Sequence, residues 1–168
     1  AGERHARRLP GFDIGNSPTE VRAIDLRGKV LVHTTHAGTQ GLVNATSADE
    51  VLTGSFVNIS AVRRYLEARA PAQVSIVRMG HEARERCAED DLYAECLRLM
   101  LAGQPAPLSE VRDRLRAAPA AAKFFDPACD WAPRDDFEYC TDVDRFDFVL
   151  RLRRAVGEPP ELERLAGA

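Results

Sequence analysis

Four stretches of the chain place hydroxyl, amide and carboxylate side chains where they could handle an oxyanion or a divalent ion. The first is Gly11-Phe12-Asp13-Ile14-Gly15-Asn16-Ser17-Pro18. Phe12 and Ile14 can anchor such a loop while Asp13 and Asn16 point the other way. Oxygen donors of this kind suit Mg²⁺, which takes one or two carboxylates and keeps several waters. The same residues also spell an Asx-turn feeding a capped helix, with Ser17 at the N-cap, Pro18 at the first helical position and Glu20 closing a capping box. The second stretch, His33-Thr34-Thr35-His36-Ala37-Gly38-Thr39, stacks the hydroxyls of Thr34, Thr35 and Thr39 and the flexible backbone of Gly38 ahead of a helix. A helix amino terminus offers unpaired N–H groups and a partial positive charge to phosphate or sulfonate. That dipole is worth about 0.3–1 kcal/mol when exposed and ~2 when partly buried. Several donors and an Arg must therefore act together, and simple N-capping by Thr accounts for the residues equally well.

The third stretch is Ser55-Phe56-Val57-Asn58. Asn58 is a good N-cap for the helix behind it, and Ser55 has no base beside it in the sequence. The fourth, Glu89-Asp90-Asp91, opens a helix, where acids ordinarily complement the dipole and can alternatively ligate a metal. No Gly-Lys-Ser/Thr triplet occurs, so there is no P-loop. His5, His33, His36 and His81 fit no zinc spacing, although His33 and His36 can share a loop. Cys87, Cys96, Cys129 and Cys140 follow one another at nine, 33 and 11 residues, which matches no CxxC pattern. They read as reduced, mostly buried thiols.

The elements that must carry these residues follow from periodicity. Residues 18–24 read as a short helix and 29–34 (KVLVHT) as a strand. Residues 39–45 read as a helix and 50–53 as a short apolar run closed by Gly54-Ser55. Ile59, Val62, Tyr65 and Leu66 give a helix over 58–69 that Pro71 blocks. Residues 73–79 (QVSIVRM) read as the next strand. The strongest helix spans 88–102, with Leu92, Cys96, Leu99 and Met100 facing inward and Gly103 as its stop. Helices over 108–118 and 135–143 and a strand over 146–152 (FDFVLRL) complete the reading, with a peripheral tail after Arg153. The alternation of strand and helix from 29 to 103 implies right-handed crossovers and a largely parallel sheet. Ligands then sit beyond the carboxyl ends of the strands, where the polar loops fall.

Composition sets outer limits. A chain of 168 residues, 45% hydrophobic and 29% charged, is one globular domain by length and content. A net charge of −3 and a pI near 5.8 argue against nucleic acid as a partner. No apolar run approaches the ~20 residues of a membrane span. The expected compartment is the cytoplasm. Of 23 basic residues only Lys29 and Lys123 are Lys, a skew in keeping with biased codon usage.

The polar blocks, taken in order, resemble a known family. Gly2-Glu3-Arg4 and Gly11-Phe12-Asp13-Ile14-Gly15-Asn16-Ser17-Pro18-Thr19-Glu20 are similar to the GER…GFDxGNSPxE signature of the 2-phosphosulfolactate phosphatase (ComB) family. Thr34-Thr35-x-x-Gly38-Thr39, Gly54-Ser55-Phe56-x-Asn58, Glu89-Asp90 and Asp144-Arg145-Phe146-Asp147 resemble its later elements. The resemblance implies an α/β fold, three-layered α/β/α with a mostly parallel or mixed sheet. It also implies Mg²⁺-dependent cleavage of a small 2-hydroxy acid phosphate such as 2-phosphosulfolactate, a step toward coenzyme M. Asp13, Glu89 and Asp90 would be the catalytic and metal-holding carboxylates. Arg4 would clamp an anion, Thr34, Thr35, Gly38 and Thr39 would cradle it, and Asn16, Ser17, Ser55 and Asn58 would bind substrate. The chain begins inside the family pattern, so the first βα unit is expected to be missing here and supplied by another piece of the same protein; a homo-oligomer or a separate amino-terminal fragment is the partner expected. Ala37 stands where the family has Asn, and Tyr93-Ala94-Glu95 where it has Cys-Ala-Gly. An inactive homologue that binds a small anion is the alternative.

Overall fold

A computed structural model describes residues 1–4 and 7–167. His5 therefore lies outside the described residues. The chain is a mixture of helices and short sheets, α/β in content. Residues Glu3–Arg4 (β1) and Arg7–Arg8 (β2) form an antiparallel hairpin. Helices Pro18–Arg22 (α1) and Gly38–Asn44 (α2) follow. Strand Leu52–Thr53 (β3) leads through a 3₁₀ turn at Phe56–Asn58 into helix Ile59–Arg69 (α3). Then come helices Ala88–Leu101 (α4), Val111–Arg116 (α5) and Arg134–Cys140 (α6), and strands Phe148–Arg153 (β4) and Glu161–Ala166 (β5).

The core belongs to the later elements. Ile59, Cys96, Val111 and Val149, from α3, α4, α5 and β4, are fully buried, and Phe56, Val62, Leu92, Leu97, Leu115 and Phe137 pack around them. Before Phe56, Ile14 is the one buried apolar side chain among the described residues. The stripes read from sequence face the core in the main, with Leu92 and Cys96 buried and Met100 packed against them, but on α4 Leu97 and not Leu99 completes the buried face. Ala70 closes α3 in the left-handed region at φ 44°, one residue before Pro71.

The strands depart from expectation. The three-stranded sheet has the order β3-β4-β5 and is antiparallel throughout, as is the β1–β2 hairpin. The tail after Arg153, expected to be peripheral, supplies β5 and pairs with the whole length of β4. Glu161 and Glu163 reach Arg153 and Arg151 across that ladder at 2.5 Å, cross-strand pairs that favour the pairing. The parallel sheet expected from residues 29–34 and 73–79 does not form. Both segments run without a ladder, apart from one parallel bridge between Gly2 and Thr34. A β-branched run becomes a strand only when its backbone finds partners. Here Val30 is 92% exposed, Val32 73% and Val77 72%. The accessible surface of 11048 Å² carries the same message. A folded monomer of this mass exposes about 8,200 Å², roughly a quarter less. Nor are the thiols mostly buried: all four are free, but only Cys96 is buried and Cys140 is exposed. No helix among the described residues is long and apolar enough to cross a membrane.

One buried carboxylate joins the two halves. Asp136, on α6, accepts hydrogen bonds from the Thr19 backbone N–H at 2.8 Å and from its hydroxyl at 2.6 Å. It fastens α1, and the loop before it, to the core. Asp136→Ala leaves two donors without their acceptor, which should lower stability by about 2–3 kcal/mol. Urea unfolding of the two proteins measures this; an unchanged midpoint would show that α1 is not anchored through Asp136.

Candidate active site

The candidate residues assemble as two groups. In the first, three separate segments meet around Gly2. A Cβ at Gly2 would lie 2.7 Å from the Phe12 ring and 2.9 Å from Thr34 Cγ2, so only glycine fits between them. The Gly2 N–H donates to the Ile14 carbonyl at 3.1 Å, and the Thr34 N–H to the Ala1 carbonyl at 3.1 Å. The His36 N–H reaches Glu3 Oε1, and His33 Nε2 lies 3.0 Å from Asn16 Oδ1. The loops bearing Arg4, Asp13, Asn16 and Thr34 are therefore neighbours, as the sequence suggests. Arg4 and Asp13 are exposed.

Local capping occupies much of this group. Ser17 caps α1 by accepting from the Glu20 N–H, while Glu20 Oε2 accepts from the Gly15 N–H at 2.7 Å. Thr35 and Thr39 are satisfied reciprocally: each hydroxyl accepts the other's backbone N–H at 3.1 Å, and Thr39 Oγ1 donates to the Thr35 carbonyl. Gly38, exposed, follows directly as the first residue of α2.

The second group surrounds a cavity of about 1010 Å³. Ser55, Glu89 and Asp90 line it. Ser55 precedes the 3₁₀ turn, and its backbone N–H and hydroxyl both point to Asn58 Oδ1. Asn58 is buried, and its amide donates to the Phe148 carbonyl at 3.0 Å. Asn58 thus orients Ser55 from behind, off the cavity wall. The segment Asp144-Arg145-Phe146-Asp147 buttresses the same turn. Asp144 and Phe146 donate backbone N–H groups to the carbonyls of Phe56 and Val57. The Asp144 carboxylate caps α3 through the Ser60 N–H and hydroxyl, and Asp147 pairs with Arg64.

At the other wall, α4 presents Glu89 and Asp90 from its first turn. Asp90 Oδ2 accepts the Gly80 N–H at 2.7 Å. Gly80 sits at φ 66°, where a Cβ would overlap the Glu85 carbonyl oxygen, a place for glycine alone. Asp91 turns away to Arg78 and Arg86. Its carboxyl is held below the usual range: burial acts to raise it, and the two guanidiniums together outweigh that. Cys87, the N-cap, is pushed up to about 12 by burial, which makes it a poor nucleophile. Arg69, Arg78, Lys123 and Tyr93 also line the cavity. Arg69, Arg78 and Lys123 carry no motif in the sequence that marks them for a site, whereas Tyr93 stands out there only as a departure from the family pattern.

Among the described residues, no three His, Cys, Asp or Glu side chains gather to hold a metal. Asp13 is outside the cavity lining, whereas Glu89 and Asp90 share it. Two adjacent carboxylates fit the habit of Mg²⁺, which keeps much of its hydration. The groups connect through residues 79 and 80: a Cβ at Gly41 on α2 would overlap the Met79 thioether, and Gly80 is held by Asp90.

His33 offers a titration of the first group. Burial, and next the amino-terminal ammonium, depress its pKa against the pull of Glu3. A folded pKa below the unfolded value of about 6.5 means the folded chain binds fewer protons. The contribution of His33 to stability is then complete above that value and lost as pH falls through the folded pKa. Melting temperature followed from pH 7.5 to 5 should fall less in His33→Gln than in the parent; equal slopes would overturn this.

With this geometry in hand, the chain can be set beside known proteins. The family described as 2-phosphosulpholactate phosphatase matches residues 1–155. A probable 2-phosphosulfolactate phosphatase of Caldanaerobacter subterraneus is 29% identical over 93% of this chain and 69% of its own length. One from Synechococcus sp. strain RCC307 is 38% identical over 66% of this chain and 45% of its own, and one from Thermotoga petrophila 44% identical over 40% and 30%. The chain thus spans only part of each of these relatives. The match over residues 1–155 places the chain in the 2-phosphosulpholactate phosphatase family, which is named for a phosphoric monoester hydrolase.

Proposed function

We propose that this protein is a cytoplasmic phosphatase that hydrolyses the phosphate monoester of a small 2-hydroxy acid of the 2-phosphosulfolactate type, with Mg²⁺. The observation that supports it most is the single cavity whose lining includes Ser55, Glu89 and Asp90 together with Arg69, Arg78 and Lys123. Phosphoryl transfer asks for positioning and charge neutralisation more than for covalent chemistry. Cations at the wall suit a dianionic ester, and Ser55, oriented by Asn58, can donate to one of its oxygens. Glu89 and Asp90 would hold Mg²⁺, which would neutralise charge on the phosphate. Asp13 as a further metal-holding carboxylate, and Arg4, Asn16, Ser17, Thr34, Thr35, Gly38 and Thr39 as substrate-binding residues, belong to the same proposal. They act on one ligand with the cavity only if segment 73–79, which touches α2 through Met79 and α4 through Arg78, sets the spacing.

That segment bears on the architecture. Val74, Ile76 and Arg78 line the large cavity and also a second one of about 790 Å³. An extended run with open space on both flanks has the form of an inner strand without neighbours. We therefore extend the proposal to a three-layer α/β/α fold in which 29–34 and 73–79 are parallel strands. Further polypeptide, joined to these residues, separate, or in a second copy, would pair with the flanks that stand open beside them.

Two measurements test these readings. Phosphate release from 2-phosphosulfolactate or phosphoglycolate should require Mg²⁺, stop with EDTA, and fall about 10- to 100-fold in Ser55→Ala, the effect of losing a hydrogen bond to a charged group. No release across a panel of such esters would overturn the enzyme reading. Phosphate bound without turnover and regardless of Mg²⁺ would instead leave a non-catalytic anion binder. In hydrogen exchange, amides of residues 74–78 should exchange freely in the isolated chain while α4 is protected. Equal protection of the two would dismiss the unpaired strand.

A further inference from the structure

Tyr93 stands on α4 three and four residues after Asp90 and Glu89, and so shares their helix face. Its ring meets Phe56 edge-on, with centroids 5.6 Å apart at 78°. Its hydroxyl lies against Gly54, where a Cβ would overlap it. That hydroxyl is closed to solvent and has no hydrogen-bond partner, yet the side chain belongs to the lining of the cavity that holds Ser55, Glu89 and Asp90. A buried donor left unmade is unusual and calls for a reason, a ligand among them. Burial, and next the nearby Asp144 charge, push the phenol well above its ordinary pKa, so it stays protonated and able to donate. Sequence neighbours explain nothing here, since the packing of the ring needs only carbon.

We propose that Tyr93 is a substrate-binding residue of this cavity, its hydroxyl donating to an oxygen of the bound phosphate ester beside Ser55. The proposal rests on the phosphatase reading above and names a group within it. Gly54 is what brings the donor to the edge of the site, because any side chain there would displace it. A slight shift of the Gly54-Ser55 turn, flanked by a two-residue strand and a 3₁₀ turn, uncovers the hydroxyl to an incoming anion. The hydrogen bond then formed has no competitor inside the protein.

Tyr93→Phe keeps the ring and removes the donor. Calorimetry with inorganic phosphate, a thermal melt and steady-state turnover of 2-phosphosulfolactate together decide the matter. The variant should melt no lower than the parent, because no internal hydrogen bond is lost. Its affinity for phosphate should weaken about 10- to 100-fold, the effect of losing a hydrogen bond to a charged group, with KM rising in proportion and kcat little changed. Parent and variant binding phosphate alike would overturn the role of Tyr93 and leave the phosphatase reading standing. A lower melting temperature together with weaker binding would make Tyr93 a packing residue and overturn it as well. A parent that neither binds phosphate nor turns over the ester would remove both.

Discussion

An extended backbone keeps its place only when its N–H and C=O groups are met, and that constraint divides this molecule. Strands β3, β4 and β5 meet it among themselves and close a core with α3 to α6. Segment 73–79 does not, and it runs between two cavities with Val77 facing solvent. The candidate active site depends on that same segment. Asp90 holds the N–H of Gly80, the residue directly after the segment, and the segment's Arg78 binds Asp91, so the first turn of α4 is fixed to a piece of chain that lacks lateral support. Whatever pairs with residues 73–79 would stiffen the wall bearing Glu89 and Asp90. Sheet completion and site geometry are one physical problem here.

The helices and their caps could be read from the sequence because their determinants are local. Ser17 caps α1 as its place before Pro18 predicts, although the Glu20 carboxylate takes the Gly15 N–H and does not close the expected box, and the α4 stripe of Leu92 and Cys96 is buried as its period predicts. The strands could not be read so well, because pairing is decided by distant residues. KVLVHT has every mark of a strand and lies nearly bare, while ELERLA, alternating but charged and set behind two prolines, becomes β5. Its glutamates match Arg151 and Arg153 across the ladder.

The site shows the same division. The sequence placed Ser55 and Glu89-Asp90 in separate loops, and the fold brings them to one cavity. It could not say which polar side chains would be used up internally. Asn58 is absorbed by Ser55 and Phe148, and Thr35 and Thr39 by each other. Asp144, which looked like part of a motif at the closing end, caps α3. Asp136 had no motif at all and carries a buried link between halves. A polar residue's type advertises chemistry, but its partners decide whether that chemistry is available to a ligand.

On that criterion the two groups of residues differ in what they can offer. Around Gly2 the side chains are largely engaged in holding three segments together, and the exposed Arg4 and Asp13 sit in water, where an ion pair with a ligand gains little. Around the cavity Ser55, Glu89, Arg69 and Arg78 are exposed as well, but Phe56, Val62, Leu97 and Phe124 share the lining with them. An anion settling against those apolar side chains displaces water, and each contact made to it gains. Acids and cations stand on that one lining, and a charge desolvated there without a partner is penalised. A dianionic ester with its counter-ion would restore the balance that either brings singly at a cost, and substrate and metal would then bind each more tightly in the presence of the other.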